Sequence, residues 1–529
     1  MGKNCLIALF CCCWQITLAQ VAPTDSLWIE AGNLRICLRA DGSLYSGGPG
    51  GAVQYRHLTP QGEEKWVKVV QDAGIWFGGV DPGGSLLLSA QKFEPRATDF
   101  RAGFAGVPGS GKIWSVTRDQ MAQHIADYAD NAHVDQPIEA IFAWPGQGNR
   151  FFEQYNGFAL PESSALHGNF TDLNWNGVYD PDLGEYPNYL GSTTNFFPVL
   201  PEQVYSFAFY TDSISIFEDI WLQAMPFQVV GQIFTFDCSE SPVFENGFFT
   251  ALQWEHIGSE RIDSSIIGLY MNADIGNSLD DYHGSRWDSY FAYNATAVDS
   301  GGFGPHPPLL MVTAINTPLN EDGHEVNASM MPIWPANSAD VPAAMTFPQN
   351  PGQYYNYLTA HWSDGMPLRI GGLGYNWMSG QETSLAFLGN PYTPGTWTEL
   401  NTQNPPGDRR GLLSWHYESI RPKYRNRLTY MTVVYPRDST QGTEDWYNGI
   451  VAEKELIIEG FTHGHEFTAP SCQGWPTSIN PRRPPHPLIH PYPNPVSDIL
   501  YIRVEGGEPL HLRLHDTYGH LATELQFPC

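Results

Sequence analysis

Between residues 172 and 185 the chain reads Asp-Leu-Asn-Trp-Asn-Gly-Val-Tyr-Asp-Pro-Asp-Leu-Gly-Glu, which sets oxygen-bearing side chains at alternate positions. Asp172, Asn174 and Asn176 occupy the first, third and fifth places of a calcium-type loop, and Gly177 follows where a sharp turn is needed. Val178 offers its carbonyl and Asp180 a further carboxylate. A hard divalent cation takes such an all-oxygen set. Leu183 stands where an EF-hand has its closing Glu, and no amphipathic helix leads in, so closure falls to Asp182 or Glu185. The expected cofactor is Ca²⁺ in a structural role, stiffening a loop whose carboxylates otherwise repel one another. The same residue types also form Asx turns without a metal.

A second set of oxygens follows an expected strand at Asn272, Asp274, Asp280 and Asp281, and offers either another calcium site or a solvated polar loop. Other patterns carry less. Gly106-Val107-Pro108-Gly109-Ser110-Gly111-Lys112 has the spacing of a phosphate-binding loop, but Ile113 stands where a Ser or Thr must reach Mg²⁺, so it reads as a Gly-rich turn. His463-Gly464-His465-Glu466 lacks a nameable third ligand and reads as a polar turn. Neither Gly-x-Ser-x-Gly nor His-Glu-x-x-His occurs. A glycosidase pair of carboxylates stays open, although 56 acidic residues make any chosen pair arbitrary. Trp175, inside the polar loop, is the best candidate for an exposed, sugar-stacking aromatic, but packing over the loop is the favoured expectation for it.

The frame that must position these residues is globular and β-rich. Among 529 residues, 42% are hydrophobic and 16% charged, which argues against disorder, and length alone suggests roughly three or four domain-sized units. The 52 Gly and 42 Pro leave little room for long helices. Runs at 73–81, 86–90, 226–238, 247–257, 262–272, 308–314, 412–420 and 428–436 have strand composition. One helix is expected at 118–129, where Thr117 and Gln120 form a capping box and Met121, Ile125 and Tyr128 share a face. The expected class is mainly β: β-sandwich-like domains with one or few short helices. A net charge of −29 excludes nucleic acid as a partner, and no apolar run after the N-terminus is long enough for a membrane-spanning helix.

The two ends speak of address. Residues 1–19 carry Lys3, an apolar stretch from Leu6 to Trp14, and small residues Thr17 and Ala19 before a cleavage point, the marks of a secretory signal peptide. Cleavage would leave Cys37, Cys238, Cys472 and Cys529 in an oxidising compartment, with their pairing open. Residues 466–490 form a Pro-rich linker. Beyond it Tyr492-Pro493-Asn494-Pro495 opens a turn, followed by strands around Ile499–Ile502 and Leu510–Asp516.

That C-terminal stretch resembles the sorting domain of the type IX secretion system, whose members begin with such a Tyr-Pro-Asn-Pro motif and form a small β-sandwich. The match covers residues 491–529 and ends without the Gly-x-Tyr-type strands of the family, so a truncated, partial sandwich is expected. The resemblance implies export through the inner membrane, passage across the outer membrane by the type IX machinery, and arrival at the cell surface or outside the cell. The calcium-like loop also resembles dockerin or thrombospondin-type loops.

Much of residues 50–460 is similar to a family of large type IX-secreted surface proteins. The likeness lies in phrases such as Gly74-Ile75-Trp76-Phe77-Gly78-Gly79, Ile125-Ala126-Asp127-Tyr128, Trp144-Pro145, Asp274-Ile275-Gly276 and Gly407-Asp408-Arg409-Arg410. It implies location and a β-rich build and names no reaction. The expected organisation is a signal peptide (1–19), a β-rich domain with one helix and the calcium-like loop (20–200), a β-sandwich-like domain (201–465), the linker (466–490) and the sorting domain (491–529). The expected function is non-catalytic binding or adhesion at the cell surface, toward a glycan or surface-protein ligand. The alternatives are a secreted polysaccharide-active hydrolase and a carbohydrate-binding protein.

Overall fold

The computed structural model describes residues 26–463 except 60, 93–97, 162–165, 190–199, 212–213, 218–219, 237–240, 321, 376–379 and 438–439, together with four strands at 488–492, 501–505, 510–515 and 521–527. The signal peptide, Cys238, Cys472, Cys529, most of the linker, residues 464–466 of the His-Gly-His-Glu turn and Pro493–Pro495 lie outside the described residues.

The chain is mainly β, built on two nine-stranded antiparallel sheets. In the first, the long strand Glu64–Val80 pairs with Asp263–Ala273, which continues through Arg410–His416 to Ala328–Ile333. In the second, Gln203–Thr211, Phe227–Thr235, Gly247–His256, Arg425–Tyr435 and Leu309–Asn316 lie side by side. Phe77 of the first sheet meets Phe227 and Trp254 of the second at ring-centroid distances of 4.5 and 5.9 Å. A polar bridge crosses the same interface, where the Tyr45 hydroxyl lies 2.5 Å from Thr250 Oγ1 and 3.1 Å from the Tyr430 hydroxyl. This is a β-sandwich.

Both sheets are also covered on their outer faces, which explains why their strands read as unbroken apolar runs. In Phe227–Thr235, Val229 and Ile233 enter the inter-sheet core, while Val230 and Phe234 enter a second core on the other side. That second core is closed by the helix Arg118–Asn131, the described residues of 138–161 and 166–189, and the helix Thr443–His463, whose Tyr447 stacks edge-on to Phe291 at 5.5 Å. The outer face of the first sheet carries the helix Pro351–Leu358, with Tyr354 4.6 Å from Trp76. Close approach there depends on glycine: a Cβ on Gly268 would stand 2.6 Å from Leu358 Cδ2.

Two expectations change. The division at residue 200 does not separate two bodies, since strands from 20–200 and 201–465 interleave in both sheets and one compact unit runs to Trp475. Pairing between strands nearly two hundred residues apart leaves no local signal. The helix Thr443–His463 is also longer than the Gly and Pro content suggests, because no Pro occurs within it. The expected helix at 118–129 is present as Arg118–Asn131 with its capping box, though the residues it buries are Met121 and His124.

A second unit spans Pro476–Cys529 and contains two hairpins, Leu488–Tyr492 with Tyr501–Glu505 and Leu510–His515 with Leu521–Phe527. The first of these strands begins inside the segment expected to be linker. Its Pro491 is tolerated because a two-stranded ladder leaves each strand an edge.

Candidate functional site

The loop 172–185 is closed at its neck by a two-residue ladder in which Thr171 faces Tyr186 and Phe170 faces Pro187. Asp172 and Glu185 therefore leave adjacent ends of one ladder. Tyr179 pins the middle of the loop to the protein: its ring is fully buried 5.0 Å from Phe170, its amide donates to Gln147 O at 2.7 Å, and its hydroxyl donates to Ile141 O at 3.0 Å. The turn is made possible by left-handed backbone at Gly177 (φ 74°) and Gly184 (φ 83°).

Within this frame the predicted oxygens turn inward on the loop's own amides. Asp172 accepts from the N–H groups of Trp175 (2.6 Å) and Gly177 (2.8 Å), Asn174 Oδ1 from Asn176 N–H (3.0 Å), and Asn176 Oδ1 from Val178 N–H (2.7 Å). Asn176 also donates to Asp180 Oδ2 at 2.9 Å. Glu185, inaccessible to solvent, ties the loop's two halves by accepting from Leu173 N–H at 3.0 Å and Asp180 N–H at 2.8 Å. Burial pushes its carboxyl above the ordinary range against the pull of these amide donors, and the Asp172 charge pushes it further. Each carboxylate oxygen has more than one acceptor direction, so an amide bond does not exhaust it.

Of the two residues considered for closure, Glu185 lies inside the loop while Asp182 turns to Arg150, whose guanidinium also stands 3.8 Å from Asp180. Arg150 was not legible as part of this loop, being 22 positions before Asp172 with no motif around it. Trp175 is 81% exposed and sits at φ 63°, a left-handed conformation uncommon for a bulky residue, so it stands off the loop and does not pack over it. Among the described residues no group of three or more His, Cys, Asp or Glu side chains is gathered as a metal set. The oxygens available at the loop include two Asn amides and a backbone carbonyl alongside Asp172, Asp180 and Glu185.

The second cluster is held differently. Asp274 pairs with Lys68, Asn272 Nδ2 donates to Asp72 at 2.9 Å, Asp280 accepts from Asn294 at 3.2 Å, and Asp281 accepts from Ile275 N–H at 2.9 Å. Asp299, which sequence reading missed, joins them and accepts backbone N–H groups from Asn277, Gly301 and Phe303. Burial first, then the neighbouring Asp274, Asp280 and Asp299 charges, drive the Asp281 carboxyl well above its usual range against the Ile275 amide. These side chains chiefly satisfy backbone donors and a lysine. The only local hint of Asp299 was its place before Ser300-Gly301-Gly302, a turn sequence.

The Gly106–Lys112 segment is a turn whose Ser110 hydroxyl accepts from Phe104 N–H (2.8 Å) and donates to Val107 O (2.6 Å), with Lys112 directed to Asn156 O at 3.2 Å. Cys37 is a free thiol, and burial raises its pKa. No helix among the described residues is long and apolar enough to cross a membrane. The chain matches no protein-family model, and no curated protein sequence matches it significantly.

Proposed function

We propose that the chain is an exported, cell-surface or extracellular β-protein that works by binding, as in adhesion, and whose sandwich is stabilised by Ca²⁺ in the loop Asp172–Glu185. The observation that carries the calcium reading is the closure of that loop. Asp172 and Glu185 sit at one ladder neck, Asn174, Asn176, Val178 and Asp180 lie between them, and Glu185 is drawn inside the loop. A cation there would neutralise carboxylates that now lean on amide donors and Arg150. Because Tyr179 roots the loop in the second core, the binding energy would reach the outer layer of the sandwich.

Export rests on the signal-peptide pattern of residues 1–19, and delivery by the type IX machinery rests on the Tyr492-Pro493-Asn494-Pro495 motif at the C-terminal unit. The test of the calcium claim is thermal melting of the chain in millimolar Ca²⁺ and in excess chelator. A midpoint raised by Ca²⁺ and not by Mg²⁺ supports it, because Mg²⁺ demands a tighter octahedral cage. Equal midpoints in calcium and chelator overturn it.

A further inference from the structure

Between the strand Val53–Leu58, the turn 303–308 and residues 436–437 lies a cleft of about 450 Å³. A second recess of about 290 Å³ opens beside it at the start of the helix Thr443–His463. The two share His306, Pro308 and Arg437 as common wall. The larger lies within the size range of small-ligand sites, and two adjoining recesses suit a ligand of more than one ring.

The charge of this double cleft runs against that of the chain. In a protein of net charge −29, Arg56 and Arg437 face it, and Glu64 is the one carboxylate among its described lining residues. Arg437 stands on the wall common to both recesses. Its guanidinium carbon lies 4.5 Å above the Trp446 ring, which fixes it in place, and among the described residues its Nη1 has no hydrogen-bond partner. A guanidinium on a cleft wall with no carboxylate described against it gains charge-assisted hydrogen bonds when an anionic oxygen arrives. Arg56, exposed at the outer end, is oriented by donating through Nε and Nη2 to Asn33 Oδ1 at 3.2 and 2.6 Å. Tyr55 and Tyr392 supply apolar walls of the kind that sugar rings pack against.

We propose that this double cleft binds an acidic saccharide, a sugar chain bearing carboxylate or sulfate groups, with an acid group on Arg437 and a second one toward Arg56. The inference rests on the binding-protein reading above, and it shares no residue with the calcium loop.

The test is calorimetric titration of the full chain with a galacturonate trisaccharide and a sulfated galactose trisaccharide, each against the neutral galactose trisaccharide, at low and high salt. The expected result is that at least one acidic sugar binds tenfold or more tighter than the neutral one and weakens as salt rises. That affinity should fall at least tenfold in Arg437→Gln and in Arg56→Gln. Which acidic sugar binds tells carboxylate from sulfate. Arg56 is exposed, so its variant folds regardless of the fate of Arg437→Gln. Equal affinity for acidic and neutral sugars, no binding of either acidic sugar, or undiminished binding by Arg56→Gln and Arg437→Gln overturns the inference. Binding of the neutral sugar alone would leave the binding-protein reading standing without this site, and the calcium-dependent midpoint is read separately.

Discussion

Replacing Glu185 by Gln changes one oxygen for an NH₂ group at a side chain that accepts two amide donors from opposite halves of the loop. The amide side chain can serve only one of Leu173 N–H and Asp180 N–H, and it presents a donor to the other. Leaving one such N–H unmatched in a buried setting costs about 1–3 kcal/mol, so the metal-free protein should melt lower. In calcium the difference widens. A site filled at a hundred times its Kd contributes about 2.7 kcal/mol to the folded state. For bodies of 150–250 residues each kcal/mol moves the midpoint by about 2–4 °C, and less for a larger unit, so the calcium-induced rise should be roughly 5 °C. In Glu185→Gln it should shrink to a small fraction of that, because the variant lacks the closing carboxylate. The assay is differential scanning calorimetry of both proteins with calcium and with chelator. A Glu185→Gln protein that keeps the full calcium-induced rise would refute the assignment of loop closure to Glu185.

The raised Glu185 pKa gives a pH dependence with a definite sign. Between its ordinary value of 4.5 and its raised folded value, the folded chain holds a proton that the unfolded chain gives up, so this group's contribution to metal-free stability declines as pH rises through that window. Calcium displaces the proton, so the calcium-induced midpoint rise should be larger at pH 7.5 than at pH 5; the opposite order would contradict it. Glu399→Ala should cost about 3–5 kcal/mol in denaturant unfolding, since it strands the Arg409 guanidinium, which is 1% exposed, without its carboxylate. Gly268→Val should cost about 1–3 kcal/mol on the same assay, because its side chain would drive into Leu358 and Leu412. Fusing residues 466–529 to an exported reporter should carry it to the surface of a cell with a type IX system; retention in the periplasm would contradict the sorting role.

What the sequence made legible was whatever is written locally. The capping box of Thr117 and Gln120 placed the helix Arg118–Asn131, and the apolar runs placed strands such as Leu86–Ala90 and Gly247–His256 close to their observed bounds. The oxygen spacing of 172–185 likewise marked a loop whose ends do meet. What stayed hidden depends on the third dimension. Glu64–Val80 pairs with Asp263–Ala273, and no periodicity within either strand names the other. His124 is buried on the helix where Ile125 is only half-buried, because the ring faces the backbone oxygen of Glu185 at 3.0 Å. Arg150 and the facing of Arg56 and Arg437 across a cleft were invisible for the same reason: each gains its meaning from a neighbour far away in the chain.

The most direct test of the calcium-stabilised loop is a crystal structure of the chain grown in Ca²⁺. The account predicts one ion bound within the loop, about 2.3–2.6 Å from oxygens of Asp172, Asn174, Asn176, the Val178 carbonyl, Asp180 and the closing Glu185. A loop that keeps its present amide contacts and holds no ion at saturating calcium would contradict it.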